Sequence, residues 1–182
     1  MQCIIIIFQA YVCIEWSNRL EVPCDITTVI LCILLKQFDQ HQYEYLQRLN
    51  IIKHQQLELL DVIGQGSYGA VFQEEWKARK GQAVAVKKYT MPRQVQILSS
   101  VPEHPHIITF YGVSMSTTGI SIVTEFAEKG SLFNYLHKEK QIPTVDQSLA
   151  WALEVAKGME HLHNHNIIHQ DLKSPNIFCQ QQ

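Results

Sequence analysis

The sequence predicts an α+β fold in two parts, a β-rich part followed by a helical part. Short β-prone runs with alternating apolar residues occupy the stretch from Leu57 to Phe126. A long amphipathic helix is predicted after them, from about Val145 to His163. Apolar residues make up 46% of the 182 residues, which is enough for a packed core.

Residues 1–56 precede these patterns and form an N-terminal extension of unknown role. Residues 1–36 are apolar and hold four of the five cysteines, whereas residues 37–56 are polar and are typical of a short helix or linker. The cysteines lack the paired spacing of a zinc site. The N-terminus also lacks the basic flank that is typical of a signal peptide. We therefore expect reduced cysteines in a cytoplasmic protein.

Two apolar runs in this extension raise the question of a membrane. They span Cys3–Ile14 and Ile26–Leu35. A membrane-spanning helix needs about 20 apolar residues, and neither run reaches that length. The runs therefore favour buried strands or a short core helix, with membrane anchoring as the alternative.

Five strands and one short helix are predicted between Leu57 and Ala127. The helix has Pro92 in its first turn and directs Val95, Ile97 and Leu98 inward. A turn at 79–81 separates the second strand from the third. The predicted strands lie near 57–63, 71–72, 83–89, 106–113 and 120–126.

The second part begins with one or two helical turns at 131–137 and continues with the long helix. Thr144 and Gln147 match a capping box at the start of that helix. Its predicted apolar face consists of Leu149, Ala152, Leu153, Ala156, Met159 and Leu162.

A glycine motif, Gly64-Gln65-Gly66-Ser67-Tyr68-Gly69, lies between the first two predicted strands. Alone, this motif is weak evidence of a nucleotide site. In a dinucleotide-binding fold the glycines lead into a helix, but here a β-prone run follows, so the loop joins two strands. This arrangement favours ATP over NAD, because a glycine hairpin lets backbone N–H groups approach phosphates. Lys87, on the next strand, can reach the phosphates of the same nucleotide.

Together, these features resemble the signatures of eukaryotic protein kinases over residues 57–182. The matching motifs are Gly64, Gly66, Gly69 and Val71, then Val84-Ala85-Val86-Lys87, then His169-Gln170-Asp171-Leu172-Lys173-Ser174-Pro175-Asn176. Further segments resemble the mixed-lineage MAP kinase kinase kinases of the tyrosine-kinase-like group: 110–113, 130–132, Trp151 and 155–159. The resemblance implies a protein-kinase-like fold, with a five-stranded antiparallel small lobe with one helix at about 57–127. The first helices and catalytic loop of a helical lobe follow at 128–182.

The resemblance also implies a protein serine/threonine kinase that uses ATP and Mg²⁺. Asp171 would take or orient the substrate hydroxyl proton, Lys173 would steady the transferred phosphoryl group, and Asn176 would bind magnesium. Lys87 would hold the nucleotide phosphates, and Thr124 would stand at the back of the adenine pocket. The residues implied to contact the nucleotide are Gly64, Gln65, Gly66, Ser67, Tyr68, Gly69, Val71, Ala85, Lys87, Thr124, Glu125, Ala127 and Phe178.

Two positions depart from the kinase pattern. Gln94 stands where a helix glutamate usually pairs with the strand lysine, and Gln170 replaces an arginine that usually pairs with a phosphorylated activation loop. These changes favour an alternative, a catalytically dead module that binds nucleotide or a partner kinase. A metal site at His161 and His165 is a further alternative, although no acidic or cysteine partner lies at suitable spacing.

The sequence contains no Asp-Phe-Gly string and ends shortly after Asn176. We therefore expect the chain as written to be a partial kinase domain that does not transfer phosphate at a useful rate. Its long helix would keep an exposed apolar face, which favours self-association. The expected partners are a protein substrate, such as a downstream MAP kinase kinase, and the formal charge of −2 indicates no nucleic acid.

Overall fold

The computed structural model describes residues 1–5, 11–12, 49–66, 69–88, 92–116 and 119–180. The second apolar run, Ile26–Leu35, and three cysteines, Cys13, Cys24 and Cys32, lie outside these residues. The described strands are β1 (Gln2–Ile5), β2 (Tyr11–Val12), β3 (Ile51–Lys53), β4 (Leu57–Gly66), β5 (Gly69–Trp76), β6 (Gln82–Lys87), β7 (Phe110–Ser116), β8 (Gly119–Glu125), β9 (Ile167–Ile168) and β10 (Ile177–Gln180). The described α-helices are α1 (Pro92–Ser100) and α2 (Val145–Asn164).

A six-stranded sheet in the order β3-β7-β8-β6-β5-β4 forms the first part of the fold. Strands β4 to β8 pair antiparallel and correspond to the five predicted strands. The fourth predicted strand begins later than expected, at Phe110, because residues before it form a turn in which the Ile107 N–H donates to the His104 carbonyl. The predicted α+β architecture is therefore confirmed.

The sixth strand, β3, comes from the segment that was predicted to be a helix or linker, and it pairs parallel with β7. The Val113 N–H donates to the Asn50 carbonyl at 2.9 Å, and the Asn50 side chain donates to the Tyr111 carbonyl at 2.8 Å. Gly112, at φ 150°, permits this approach, since a Cβ there would lie 2.1 Å from the Asn50 carbonyl oxygen. Ile52 is buried in the core, which gives this short edge strand its apolar anchor.

Apolar clusters cover both faces of the sheet. One cluster packs α1 and the end of α2 against β7 and β8, and it is made of Leu49, Val95, Ile97, Leu98, Ile107, Val113, Ile120, Ile122, Leu162 and Ile167. The other lies on the opposite face and is made of Ile52, Leu57, Trp76, Val84, Val86 and Val123. The burial of Val95, Ile97 and Leu98 agrees with the buried side predicted for α1.

The long helix α2 has the predicted start and leaves most of its predicted apolar face exposed. The Thr144 hydroxyl accepts from the Gln147 N–H, and the Gln147 side chain accepts from the Thr144 N–H, which completes the capping box. The buried residues of the helix are Trp151, Gly158 and Leu162. Leu149 and Leu153 are 64% and 56% exposed, and Ala152 and Ala156 are also exposed, so most of the predicted apolar face does not pack in this structure.

The start of the chain packs beside its last strands, which the sequence did not indicate. β1 pairs antiparallel with β10, and β2 pairs antiparallel with β9. The Trp151 indole N–H donates to the Met1 carbonyl at 3.2 Å, and the Glu154 carboxylate accepts from the Cys3 N–H at 2.7 Å. These contacts place β1 against α2. Within the described part of the chain, neither helix combines the length and apolar character needed to cross a bilayer.

Candidate active site

A cleft of about 690 Å³ lies between the β4–β5 hairpin and the segment that leads from β8 to α2. Its volume is in the usual range for a small-molecule site, about 300–1,000 Å³. The walls include six residues that the sequence assigned to the nucleotide: Gly64, Val71, Ala85, Glu125, Ala127 and Phe178. The structure therefore brings together parts of the glycine motif, strand β6, the residues after β8, and strand β10.

The glycine motif forms the end of an antiparallel hairpin, as predicted. Gly64 lies opposite Val71 and Gly66 lies opposite Gly69, with a bulge near Gly64. A hairpin end of this kind presents backbone N–H groups to the cleft beneath it. Gln65 lies on β4 opposite Ala70. Two motif residues to which a nucleotide contact was assigned, Ser67 and Tyr68, lie outside the described residues.

Lys87 lies two residues beyond Ala85 on β6, so both side chains point to the same face of the sheet. Its direct neighbours across the sheet are Val71 on β5 and Ile122 on β8. Lys87 is only 3% exposed and is not part of the cleft wall itself. Burial lowers the pKa of its ammonium group from 10.5 to about 8.

The next residue, Lys88, has a different environment. Its ammonium group lies 3.5 Å from the buried Glu74 carboxylate and 4.1 Å from the ring centre of Phe72. Phe72 and Glu74 alternate with Val71 along β5, so they belong to the opposite face of the sheet. Lys87 and Lys88 therefore occupy opposite faces.

Thr124 and Glu125 end β8 at the back of the cleft. Thr124 is buried and lies opposite Ala85 in the sheet. The Glu125 N–H donates to the Thr109 carbonyl, and its carboxylate accepts from the Thr109 N–H and from the Gln180 side chain. These bonds fix the backbone that leads out of the sheet.

Ala127 follows along this segment. Its carbonyl accepts from the Gly130 N–H at 3.0 Å, which turns the chain toward the helical part. Glu125 and Ala127 both line the cleft, and the Glu125 carbonyl accepts from the Thr124 hydroxyl at 3.2 Å.

Three residues of the predicted catalytic loop meet in one cluster. The Lys173 ammonium group lies 2.8 Å from Asp171 Oδ1, and Asn176 Nδ2 donates to Asp171 Oδ2 at 2.9 Å. The same Asn176 nitrogen donates to the Asp171 carbonyl at 2.8 Å, which closes the loop. The hydrogen bond from Lys173, aided by the one from Asn176, lowers the pKa of Asp171 below its usual value. Asp171 is therefore a carboxylate at neutral pH.

His169 and Gln170 shape the entry to this cluster. His169 is buried, and both its carbonyl and its Nδ1 face the Asp171 N–H, at 2.9 Å and 3.2 Å. Gln170 is exposed and has φ 61°, a left-handed conformation that is uncommon for a residue with a side chain. The turn at Gln170 directs Asp171 and the residues after it back across the loop.

The hydrogen bonds of Asn176 show which of its side-chain atoms in the Asp171–Lys173–Asn176 cluster could bind a cation. Its amide nitrogen is directed to Asp171, so the amide oxygen is the group left for a ligand. Magnesium prefers such hard oxygen ligands, and in nucleotide sites it is bound by few protein groups together with phosphates. The donor set at this loop therefore fits a magnesium ion that arrives with a nucleotide.

Phe178 forms the floor of the cleft through an unexpected connection. It forms an isolated β-bridge with Ser131, and the neighbouring Cys179 N–H donates to the Gly130 carbonyl at 2.9 Å. Pro175 of the catalytic loop also lines the cleft. Asp171, Lys173 and Asn176 do not line it themselves, so the structure places them beside the cleft rather than in its wall.

Several cleft residues carried no sequence signal strong enough to assign them. The polar ones are Asp61, Glu128, Ser131, Asn134 and Lys138. Ser131 lies in segment 130–132, whose resemblance to kinases was a signal that could have identified it. In the structure the Ser131 hydroxyl accepts from the Asn134 N–H, just before the helical turns Asn134–Lys138. Gln94, the substituted position on α1, is half-buried outside the cleft wall.

Each of the two histidines considered as metal ligands has one ring nitrogen in contact with a backbone carbonyl. His161 Nε2 contacts the Pro102 carbonyl at 3.1 Å, and His165 Nδ1 contacts the His161 carbonyl at 2.7 Å. Among the described residues, no three His, Cys, Asp or Glu side chains come together in a way that could hold a metal ion. The His161 ring stacks on His104, and the His165 ring lies tilted against His161, as part of the packing between the end of α2 and the turn before β7.

Comparison with known proteins identifies relatives of this site. The family profile described as protein tyrosine and serine/threonine kinase matches residues 57–182. Mitogen-activated protein kinase kinase kinase zak-1 of Caenorhabditis elegans is 36% identical over 141 residues, which cover 69% of this chain and 19% of that protein. Serine/threonine-protein kinase CTR1 of Arabidopsis thaliana is 39% identical over 136 residues, with 66% and 16% covered.

A human relative has the same extent of similarity. Serine/threonine-protein kinase TNNI3K of Homo sapiens is 38% identical over 138 residues, which cover 67% of this chain and 16% of that protein. The chain therefore spans less than a quarter of the length of these relatives. The relatives combine MAP kinase kinase kinases with other serine/threonine kinases, in agreement with the group that the motifs indicated.

Proposed function

The chain belongs to the protein tyrosine and serine/threonine kinase family, and on that premise we propose that it contains the ATP site of a serine/threonine kinase. The reaction is transfer of the γ-phosphoryl group of ATP to a hydroxyl group of a protein substrate. One observation supports this most strongly. A cleft with a glycine hairpin on one side has a Lys173–Asp171–Asn176 cluster beside its opposite side.

The adenine ring would lie between the two sides of the cleft. Val71 and Ala85 would cover one face of the ring, and Phe178 would cover the other, since all three line the cleft. The Glu125 carbonyl and the Ala127 N–H would read the edge of the base. Thr124 and Lys87 lie deeper on the face of the sheet shared with Ala85, where Thr124 would limit the depth of the pocket.

Lys87 would pair with the α- and β-phosphates, beneath the glycine hairpin. Burial makes the charged form of Lys87 costly, and an anionic ligand would offset that cost. A bound polyphosphate would therefore raise the pKa of Lys87 back toward its ordinary value.

The Asp171 cluster would act on the hydroxyl group of the substrate. With its pKa lowered, Asp171 is ionised at neutral pH and can accept a hydrogen bond from that hydroxyl and orient it. Lys173 would place a positive charge beside the transferred group, where charge is spread in the transition state. Magnesium, when bound through the Asn176 oxygen and the nucleotide, would neutralise phosphate charge.

The catalytic-loop sequence and the relatives support a proposal for the substrate. Lys173 after Asp171-Leu172 is typical of serine/threonine kinases, and one relative is by name a MAP kinase kinase kinase. We therefore propose a cytoplasmic protein substrate, such as a MAP kinase kinase in a stress-response cascade.

Gln94 and Gln170 favour a second candidate, a kinase-like module that binds nucleotide or a partner without catalysis. An amide can accept a hydrogen bond from the Lys87 ammonium group but adds no opposite charge, whereas a carboxylate would add a Coulombic attraction to it. In a longer protein that contains this domain, Gln94→Glu should therefore tighten ATP binding or raise activity. An unchanged affinity and rate would show that Gln94 is not the partner of Lys87.

Thermal unfolding with added nucleotides tests the ATP site. We expect ATP, with magnesium, to raise the unfolding temperature more than NAD does. Lys87→Met should weaken ATP binding roughly tenfold or more, as expected for loss of a charge-assisted contact. Lys88→Met is the matched control, because Lys88 lies on the opposite face and should leave ATP affinity unchanged. Stabilisation by NAD and not by ATP would refute the proposal.

Phosphoryl transfer by the polypeptide of residues 1–182 is a separate question. These residues contain no Asp-Phe-Gly string, which in kinases supplies the other magnesium ligand. Loss of one such electrostatic contact commonly reduces the rate about 10²–10³-fold. We therefore propose that this polypeptide binds ATP without useful transfer to a protein substrate. Transfer of labelled phosphate that is abolished by Asp171→Ala would contradict this.

A further inference from the structure

Two cysteines lie side by side where the start of the chain pairs with its last described strand. Cys3 of β1 is directly opposite Cys179 of β10 in the antiparallel register. Both are free thiols, and both are 0% exposed. They pack with Trp151 and Ile177 in one buried cluster, so the position of each sulfur is restricted by its neighbours.

The backbone hydrogen bonds show which kind of strand pair this is. The Cys179 N–H donates to the Gly130 carbonyl, and its carbonyl accepts from the Lys129 N–H. The Cys3 N–H donates to the Glu154 carboxylate. Cys3 and Cys179 therefore do not bond to one another through the backbone, and they form a non-hydrogen-bonded pair.

This geometry suits a covalent link. In non-hydrogen-bonded antiparallel pairs the Cα atoms are about 4.5 Å apart and the side chains are at their closest. Disulfides need Cα atoms about 4.4–6.8 Å apart. A disulfide could therefore form here without moving either strand far.

We propose that Cys3 and Cys179 form a reversible disulfide that fastens the N-terminal strand β1 to β10. The link would join two positions at opposite ends of the described chain. It would also restrain Phe178, the neighbour of Cys179 on β10, which forms the floor of the cleft. Under oxidising conditions the disulfide would hold β1 on β10, and under reducing conditions β1 would separate from β10 more easily.

The chemistry is a thiol–disulfide exchange with a small-molecule disulfide, such as oxidised glutathione, as the oxidant. Cys179 as a thiolate attacks one sulfur of the oxidant, and a mixed disulfide forms with release of one small thiol. The Cys3 sulfur, after losing its proton, then attacks the Cys179 sulfur and releases the second small thiol. Two protein thiols are oxidised and one small disulfide is reduced to two thiols.

The contact between the two thiols shifts their pKa values in opposite directions. A hydrogen bond from Cys3 lowers the pKa of Cys179, whereas the same contact, together with burial, raises the pKa of Cys3. We therefore assign the first attack to Cys179, the thiol with the lowered pKa. Opening of the short strand β1 would admit the oxidant to Cys179, because terminal strands open more readily than the core.

The test uses the whole chain in buffers with varied ratios of reduced to oxidised glutathione. Free thiols are trapped by alkylation, and cross-linked peptides are identified by mass spectrometry. We expect a Cys3–Cys179 cross-link in most molecules at equimolar glutathione, and its loss on addition of dithiothreitol. We expect at least about tenfold more of this cross-link in buffer than in concentrated urea, because folding brings together residues far apart in sequence.

Variants and hydrogen exchange separate this pair from the remaining cysteines. The variant Cys13→Ser/Cys24→Ser/Cys32→Ser should form the same cross-link, and adding Cys3→Ser should abolish it. Backbone amides of β1 should exchange more slowly when the chain is oxidised. If the triple variant does not fold, peptide mapping of the natural chain decides alone. Cys3 and Cys179 that stay reduced in folded protein, or that pair mainly with other cysteines, would overturn the proposal.

Discussion

Replacing Lys87 by Met should stabilise the fold while it removes the side chain proposed to hold the nucleotide phosphates. Lys87 is 3% exposed, and burial lowers its pKa from 10.5 to about 8. The difference between these two pKa values corresponds to a destabilisation of the folded state of about 3 kcal/mol when Lys87 is charged. Met has a similar length and no charge, so Lys87→Met should recover part of that free energy.

The expected difference in stability between Lys87→Met and the natural chain depends on pH. Below about pH 8 the lysine is protonated in both folded and unfolded states, so the full cost of burying its charge applies. Above the unfolded pKa of about 10.4 the lysine is neutral in both states, and that cost is absent. The stability advantage of Lys87→Met should therefore be largest near neutral pH and should shrink, by about 1.4 kcal/mol per pH unit, between these values.

Urea unfolding of both proteins, followed by circular dichroism from about pH 7 to pH 10, measures this difference. Lys88→Met is the control with the opposite expected sign. It leaves the buried Glu74 carboxylate without its ion pair and should destabilise the fold by at least about 1 kcal/mol. A Lys87→Met protein that is less stable than the natural chain at neutral pH would refute the reasoning, as would a stability difference that does not change with pH.

Three further predictions concern single contacts. Gly112→Ala should destabilise the fold by about 1–3 kcal/mol more than Gly119→Ala in urea unfolding. Both glycines have positive φ, but only at Gly112 would the added Cβ meet a backbone carbonyl oxygen, that of Asn50 at 2.1 Å; equal effects would contradict this. Thr144→Ala should cost about 1 kcal/mol through loss of the helix cap, while Thr144→Ser should cost much less, and thermal or urea unfolding compares them. Lys173→Met should raise the pKa of Asp171, measured by NMR titration of its carboxyl carbon, because the largest cause of its low pKa is removed; an unchanged pKa would show that the contact is absent in solution.

Local sequence signals were sufficient for the elements whose chemistry is local. The glycine motif required a tight connection, and β-prone runs on both sides indicated a hairpin, which the register of Gly64 with Val71 confirms. The capping box of Thr144 and Gln147 located the start of α2 for the same reason, because the bonds that form it join residues three apart. The residues proposed to cover the adenine ring were also found from motifs that lie in order along the chain.

Contacts between distant residues could not be predicted in this way. The strand β1 depends on β10 for its backbone partners, and no pattern within Gln2–Ile5 identifies that partner. The strand β3 was taken for a helix or linker because its three residues are too few for an alternating pattern, and its position depends on the close approach at Gly112. The contact of α2 with β1 through Trp151 was not predicted, because apolar periodicity cannot show which neighbours a helix has.

The most direct test of the proposed ATP site is lysine labelling in the folded chain. An ATP analogue with a reactive acyl group on its γ-phosphate acylates lysines beside the bound phosphates, and mass spectrometry identifies them. We predict acylation of Lys87, suppressed by excess ATP and not by NAD, with its neighbour Lys88 unlabelled because it lies on the opposite face with Glu74. Labelling of Lys88 as extensive as that of Lys87, or labelling of Lys87 that excess ATP does not reduce, would contradict the proposed site.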